Sequence, residues 1–104
     1  MPMIKGSSWL SELPLSIMKK ITMFTMESCP YCRQALRWMD MLFAEKKEYS
    51  SLFIEKIDEL EHPDIAAGYD YYYVPTYYVD GEKLHEGPAS LEMIRRVFDA
   101  AFEN

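Results

Sequence analysis

Lys19-Lys-Ile-Thr-Met-Phe-Thr25, then Met26-Glu-Ser28, then Cys29-Pro-Tyr-Cys32 is the stretch on which the fold turns. Residues 19–25 are apolar and β-prone and predict a first strand. After the three-residue loop a helix is predicted to begin at Cys29 or Pro30. Proline suits a first helical turn, where its missing N–H has no intrahelical partner to lose. Cys32, Ala35, Leu36, Met39, Leu42 and Phe43 follow at three- and four-residue spacing and predict one apolar face. A strand thus runs through a short loop into a helix that holds a cysteine pair at its start.

Beyond that helix, the polar run Glu45 to Ser51 is predicted to end it, and Leu52 to Ile57 to form a second strand. Pro63 opens a short helix through Asp64-Ile65-Ala66-Ala67, which Gly68 closes. Thr76–Val79, Asp80-Gly81 and Glu82–His85 predict a hairpin, because Asp-Gly favours the tight turn that matches strand twist. Ser90 is placed to cap a last helix whose apolar face is Leu91, Ile94, Val97, Phe98, Ala101 and Phe102. The order is β-α-β-α-β-β-α. Its β-α-β unit implies a parallel strand pair, and its hairpin adds antiparallel strands.

A chain of 104 residues fills one core, and one α/β domain is expected over residues 18–104. Residues 1–17 stand outside it as an N-terminal extension. Trp9, Leu10, Leu13, Leu15 and Ile17 make this segment too apolar for a free tail, so it is expected to pack. Trp38 and Met41, off the apolar stripe of the first helix, are the surface predicted to receive it.

The only two cysteines form one C-x-x-C, which excludes a framework of disulfides; redox chemistry, metal binding or coincidence must explain the pair. If the helix starts as predicted, Cys29 sits at its N-terminus, where free N–H groups and the helix dipole favour a thiolate. Cys32, one turn on, faces inward with Leu36 and Met39. Two unequal thiols result: the exposed one attacks a disulfide, and the recessed one resolves the mixed disulfide. His62 and His85 are the only histidines, and their spacing is unlike a zinc-finger pair, so neither metal nor another cofactor is expected.

Cys29-Pro30-Tyr31-Cys32 after a strand, with Val74-Pro75-Thr76 and a hairpin further on, resembles the thioredoxin and glutaredoxin families. His62-Pro-Asp-Ile-Ala-Ala-Gly-Tyr69 resembles the short helix these families place before that proline. The resemblance runs from Lys19 to the end of the chain. It implies a thioredoxin-like fold of the glutaredoxin-type minimal kind, a four-stranded mixed sheet flanked by helices. It also implies that Pro75 follows a cis peptide bond opposite the cysteines, with Val74 presenting its main chain to an extended substrate. Pro30, Tyr31, Val74, Pro75 and Thr76 are then the expected substrate-binding residues.

Some positions depart from the glutaredoxin pattern. Met26 stands where those proteins carry a cation for glutathione, and Tyr73 replaces the threonine often seen before Val-Pro. His85-Glu-Gly-Pro-Ala-Ser90 replaces their Gly-Gly and acidic residues and is closer to the single glycine of thioredoxins. A thioredoxin-reductase-type system or another dithiol donor is therefore favoured over glutathione. Arg33 lies near enough to the cysteines to favour a thiolate. The tyrosines at 69, 71, 72, 73, 77 and 78 are mostly packing residues by habit, although Tyr72 or Tyr73 beside Val74-Pro75 would make an aromatic wall for substrate.

Net charge of −6 excludes a nucleic-acid face, since the longest basic runs are Lys19-Lys20, Lys46-Lys47 and Arg95-Arg96. No apolar run has the length of a membrane span, and residues 1–17 do not read as a secretory signal, so a cytoplasmic home is expected. The leading expectation is a thiol–disulfide oxidoreductase contributing to cell redox homeostasis, with disulfide-containing proteins or low-molecular-weight thiols as partners. The alternative is a binding module that keeps the fold and uses the cysteines little.

Overall fold

β1 (Ile21–Thr25) is the strand against which the others assemble, in a computed structural model that describes residues 18–102. It pairs in parallel with β2 (Ile54–Asp58), from Ile21 opposite Ile54 to Thr25 opposite Asp58. On its other side it runs antiparallel to β3 (Thr76–Val79), from Ile21 opposite Val79 to Phe24 opposite Thr76. β4 (Glu82–Glu86) closes the hairpin, giving the order β2-β1-β3-β4 with a bulge at Tyr77/Tyr78. Asp80 and Gly81 both take positive φ, 53° and 87°, as a two-residue hairpin turn requires. The connecting helices are α1 (Pro30–Glu45), α2 (Pro63–Ala66) and α3 (Leu91–Ala100).

The alternation of the central strands divides the core between two faces. Ile21, Met23, Tyr77 and Val79 meet Ala35, Met39 and Leu42 of α1 and Ile94, Val97 and Phe98 of α3. Phe24, Ile57 and Tyr78 form the opposite face, covered by Ala66, Tyr71 and Val74. All four residues of β3 are buried, which is why its sequence shows no polar alternation. Tyr77 and Tyr78 thus fall on opposite faces. Ser90 caps α3, its hydroxyl accepting from the Met93 N–H at 3.1 Å.

Three local features differ from the sequence-based expectation. The polar run after α1 is a 3-10 turn, Lys47–Ser51, that buries Tyr49. The Tyr49 hydroxyl donates to Asp99 at 2.6 Å, and its ring lies edge-on to Phe98. A single aromatic with a satisfied hydroxyl anchors this otherwise polar turn. β2 begins at Ile54 because the Leu52 N–H is taken by the Tyr49 carbonyl in closing that turn. Trp38 is half-buried and packs against the core, whereas Met41 is exposed. The packing of residues 1–17 on these two lies outside the described residues.

The apolar seam between α1 and α3 includes Phe43 stacked on Phe98 at 5.4 Å between ring centres. Burying one such side chain is worth about 1.5–3 kcal/mol. The Arg95–Glu45 ion pair spans the same two helices at the surface, where ion pairs contribute little. Apolar burial therefore decides how α3 sits on α1.

Candidate active site

Cys29 is the N-cap of α1, with extended backbone angles of −85° and 119°. Its N–H donates to the Met26 carbonyl, and its own carbonyl accepts from the N–H groups of Cys32 and Arg33, all at 3.1 Å. Pro30 takes the first helical position. No side chain caps this terminus, so the positive end of the helix dipole acts at Cys29. Cys29 is partly exposed and Cys32 is 1% exposed; both thiols are free.

The buried Cys32 thiol lies near the Thr25 side chain, the Met26 main chain and Cys29. Burial pushes this thiol above its usual range, against the opposing influence of Thr25 and Met26 and with help from Cys29. The buried Tyr77 hydroxyl, 3.4 Å from the Met39 sulfur, is also pushed up by burial, with a smaller effect from Cys32.

Asp58, at the end of β2, fixes the cysteine loop. One of its oxygens accepts from the Glu27 N–H at 3.1 Å, the other from the N–H groups of Leu60 at 2.8 Å and Glu61 at 3.3 Å. Arg33 donates to the Glu27 carbonyl at 3.0 Å, so its guanidinium braces the loop main chain. An open cleft beside Cys32 is walled by Met26, Glu27, Arg33, Leu36, Asp58 and Glu61. Its lining residues include three acids and one arginine.

Beyond the Phe24–Thr76 pair, one chain continues toward the cysteine loop and the other comes from Val74-Pro75. Both segments therefore lie at the same end of the sheet. The Val74–Pro75 peptide bond is cis. Pro75 and Thr76 are fully buried and Val74 is half-buried. The Pro75 carbonyl accepts from the Gly87 N–H at 2.9 Å, and the Thr76 hydroxyl donates to the Tyr73 carbonyl. Tyr31, Tyr72 and Tyr73 are exposed, at 58%, 87% and 68%. The other tyrosines of the cluster pack: Tyr71 stacks on Phe24 at 4.8 Å, and Tyr69 meets Phe24 and Tyr78.

His62 is exposed, and the His85 ring nitrogen Nε2 donates to the carbonyls of Gly87 and Pro88 at 3.0 and 2.9 Å. Among the described residues no three His, Cys, Asp or Glu side chains gather to hold a metal. Two residues absent from the sequence reading shape the site, Asp58 and Glu86. Asp58 has a signal: an Asp ending a strand is well suited to take the N–H groups of the turn that follows. Glu86 carries none, because the loop whose N–H groups it accepts lies 13 and 14 residues upstream.

A mixed sheet ordered β2-β1-β3-β4, with a C-x-x-C at the start of the helix after β1 and a cis proline before β3, defines a thioredoxin-like protein. The sequence matches the thioredoxin domain family over residues 19–99, and the chain belongs to that family. Its fold is similar to that of oxidised thioredoxin O1 from Arabidopsis thaliana, with a TM-score of 0.64 and 19% identity over 92% of this chain and 88% of that one. Mitochondrial thioredoxin 3 from Saccharomyces cerevisiae is similar at a TM-score of 0.63 and 22% identity, covering 88% and 89%. A point-mutant thioredoxin from Halobacterium salinarum gives 0.62 and 20%, covering 97% and 89%. No curated protein sequence matches the chain significantly. The family supports thiol–disulfide oxidoreductase chemistry in general, with disulfide substrates and reductase partners. Among the described residues no helix is long and apolar enough to cross a membrane.

Proposed function

We propose that the protein catalyses dithiol–disulfide exchange, with Cys29 as nucleophile and Cys32 as resolving thiol. One observation carries this reading: two thiols share a helical turn, one at its partly exposed cap and the other 1% exposed. The Cys29 thiolate attacks one sulfur of a partner disulfide; that bond breaks, and the leaving thiolate takes a proton. Cys32 then loses its proton and attacks the Cys29 sulfur, expelling the second partner thiol. The partner gains two electrons, and the protein is left with a Cys29–Cys32 disulfide.

Pro30, Tyr31 and Val74 form the surface that receives the partner, with the Val74 main chain pairing to an extended segment. Pro75 and Thr76, expected to bind substrate, are buried and act by holding that main chain in place. The electron donor is a thioredoxin-reductase-type system or another dithiol in preference to glutathione. The acidic cleft of Glu27, Asp58 and Glu61 supports this, because glutathione brings two carboxylates of its own. The protein acts in the cytoplasm on disulfide-containing proteins or low-molecular-weight thiols, without a cofactor of its own.

Reduction of insulin disulfides by a dithiol, with and without the protein, tests the reading. Wild type should accelerate the reaction and Cys29→Ser should abolish the acceleration. A wild type that binds partners but accelerates nothing would make the fold an adaptor and overturn the proposal.

A further inference from the structure

Glu86 ends β4 opposite Thr76, the residue after Pro75. Its side chain reaches back to the loop that leads into Val74-Pro75. One carboxylate oxygen accepts from the N–H of Tyr72 at 2.6 Å and from the N–H of Tyr73 at 3.1 Å. The other pairs with Lys83 at 2.7 Å, and Lys83 also donates to the Asp70 carbonyl at 3.1 Å. The Tyr78 hydroxyl donates to that same carbonyl at 2.7 Å. Main-chain groups of residues 70, 72 and 73 are thus fastened to the hairpin.

The side chains of Tyr72 and Tyr73 take no part in this fastening and stand in solvent. Large aromatic side chains left exposed by a loop whose main chain is tied at residues 70, 72 and 73 have no evident structural use. Aromatic groups held in place offer contact area at a low entropic cost, which is what a partner-binding rim needs.

We propose that Glu86 is a positioning residue for disulfide exchange, holding the Tyr72–Tyr73 main chain so that both rings and the adjoining Val74-Pro75 meet a protein partner at Cys29. The inference rests on the exchange reading above and adds a residue and a contact surface to it. Glu86 touches no reacting atom. Its loss weakens the fit of a protein partner and leaves the reactivity of Cys29 itself alone. A small disulfide that reaches only the sulfur does not sense it.

The test uses the full chain with Glu86→Ala and Glu86→Gln. Insulin serves as protein disulfide, 2-hydroxyethyl disulfide as small disulfide and iodoacetamide as a direct probe of Cys29. Glu86→Ala should raise KM for insulin about tenfold, the scale of one lost charge-assisted hydrogen bond, with kcat nearly unchanged. Turnover of the small disulfide and the alkylation rate should stay within about twofold, a change too small to reflect a lost bond to Cys29. Glu86→Gln keeps an acceptor oxygen but not the ion pair, and should fall between; it carries the test if the alanine variant does not fold. Tyr72→Ala with Tyr73→Ala should reproduce the KM effect with Glu86 intact. Amide hydrogen exchange at residues 72 and 73 should speed up in the Glu86 variants. An unchanged KM for insulin, an equal loss on both disulfides, or unchanged exchange would overturn the proposal. A wild type inactive on both disulfides would sink the exchange reading instead, while amide exchange still decides whether Glu86 holds the loop.

Discussion

The Cys32 N–H donates to the Cys29 carbonyl at 3.1 Å, so the residue that caps α1 also closes its first turn around the second cysteine. One peptide hydrogen bond joins a thiol outside the helix to one within it. One is partly exposed and the other buried because a single turn of helix separates surface from core.

That separation predicts which variant traps a partner. Cys32→Ser should accumulate mixed disulfides through Cys29, because the resolving attack is gone. Cys29→Ser should accumulate none, its remaining sulfur being 1% exposed. Mass spectrometry of complexes after incubation with oxidised insulin distinguishes the two, and equal trapping would reverse the assignment.

Alkylation should follow the same division. Burial raises the Cys32 pKa, so its thiolate appears only at a higher pH than an ordinary thiol requires. With iodoacetamide near pH 7, the reduced protein should gain one adduct, at Cys29. In Cys29→Ser the cysteine neighbour is lost but burial, the larger cause, remains. Cys32 should then still react slowly and call for more alkaline conditions. Fast labelling of Cys32 at neutral pH would contradict its placement.

Acid should loosen the loop before Pro75. The ion pair with Lys83 and the N–H groups of Tyr72 and Tyr73 hold the Glu86 carboxyl at about 2, against an ordinary value of 4.5. A folded-state pKa below the unfolded one contributes stability that is complete above about pH 4.5 and disappears as pH falls toward 2. Denaturation midpoints should therefore drop across this window more steeply in wild type than in Glu86→Gln. Parallel acid limbs would show that the carboxylate contributes nothing there.

Tyr49 should matter at the other end of the scale. Burial, and then the bond to Asp99, push its hydroxyl up to about 12. A raised pKa contributes stability that is present below the unfolded value of about 10 and is lost as pH climbs through 12. Tyr49→Phe should cost about 1 kcal/mol at neutral pH, the usual net worth of one hydrogen bond. Its alkaline loss should be smaller than that of wild type, though not zero, because Tyr71 and Tyr77 are raised as well. Unchanged stability at neutral pH would leave the 3-10 turn without its proposed anchor.

Glutathione should be a poor reductant. Met26 and Pro88-Ala89 stand where a glutathione site would supply charges, and Arg33 is engaged by the Glu27 carbonyl. Each absent charge-assisted bond is worth about 1.5–3 kcal/mol, and losing two weakens binding by roughly two to four decades. Stopped-flow reduction of the oxidised protein by glutathione and by a thioredoxin reductase gives the comparison directly. Efficient turnover of a glutathione mixed disulfide would refute it.

The parts of this fold legible in the sequence are those set by local rules. Pro30 and Ser90 mark helix starts, Asp80-Gly81 marks a turn, and the spacing from Cys32 to Phe43 marks a buried face. These signals need only a few neighbouring residues. Tyr49 escaped because its burial depends on Phe98 and Asp99, about fifty residues away, while its neighbours are polar. Glu86 escaped for the same reason, since its partners come from another loop. The cysteines are readable as a pair, yet the Asp58 contact that braces their loop exists only once β2 lies beside β1, and the Arg33 contact only once the loop has folded back onto the first turn of α1.

The bulge at Tyr77/Tyr78 has a consequence for crowding. It lies where β3 meets β4, the strand at one margin of the described sheet. β4 itself presents Glu82 and Lys83 as exposed charges. A kinked, charged margin is a poor template for another copy of the chain, because a second strand would have to match the kink and desolvate the charges. On this side of the described sheet the chain therefore resists pairing with its own copies, which leaves the proposed strand-pairing segment at the proline-bearing entrance to β3 for a foreign partner.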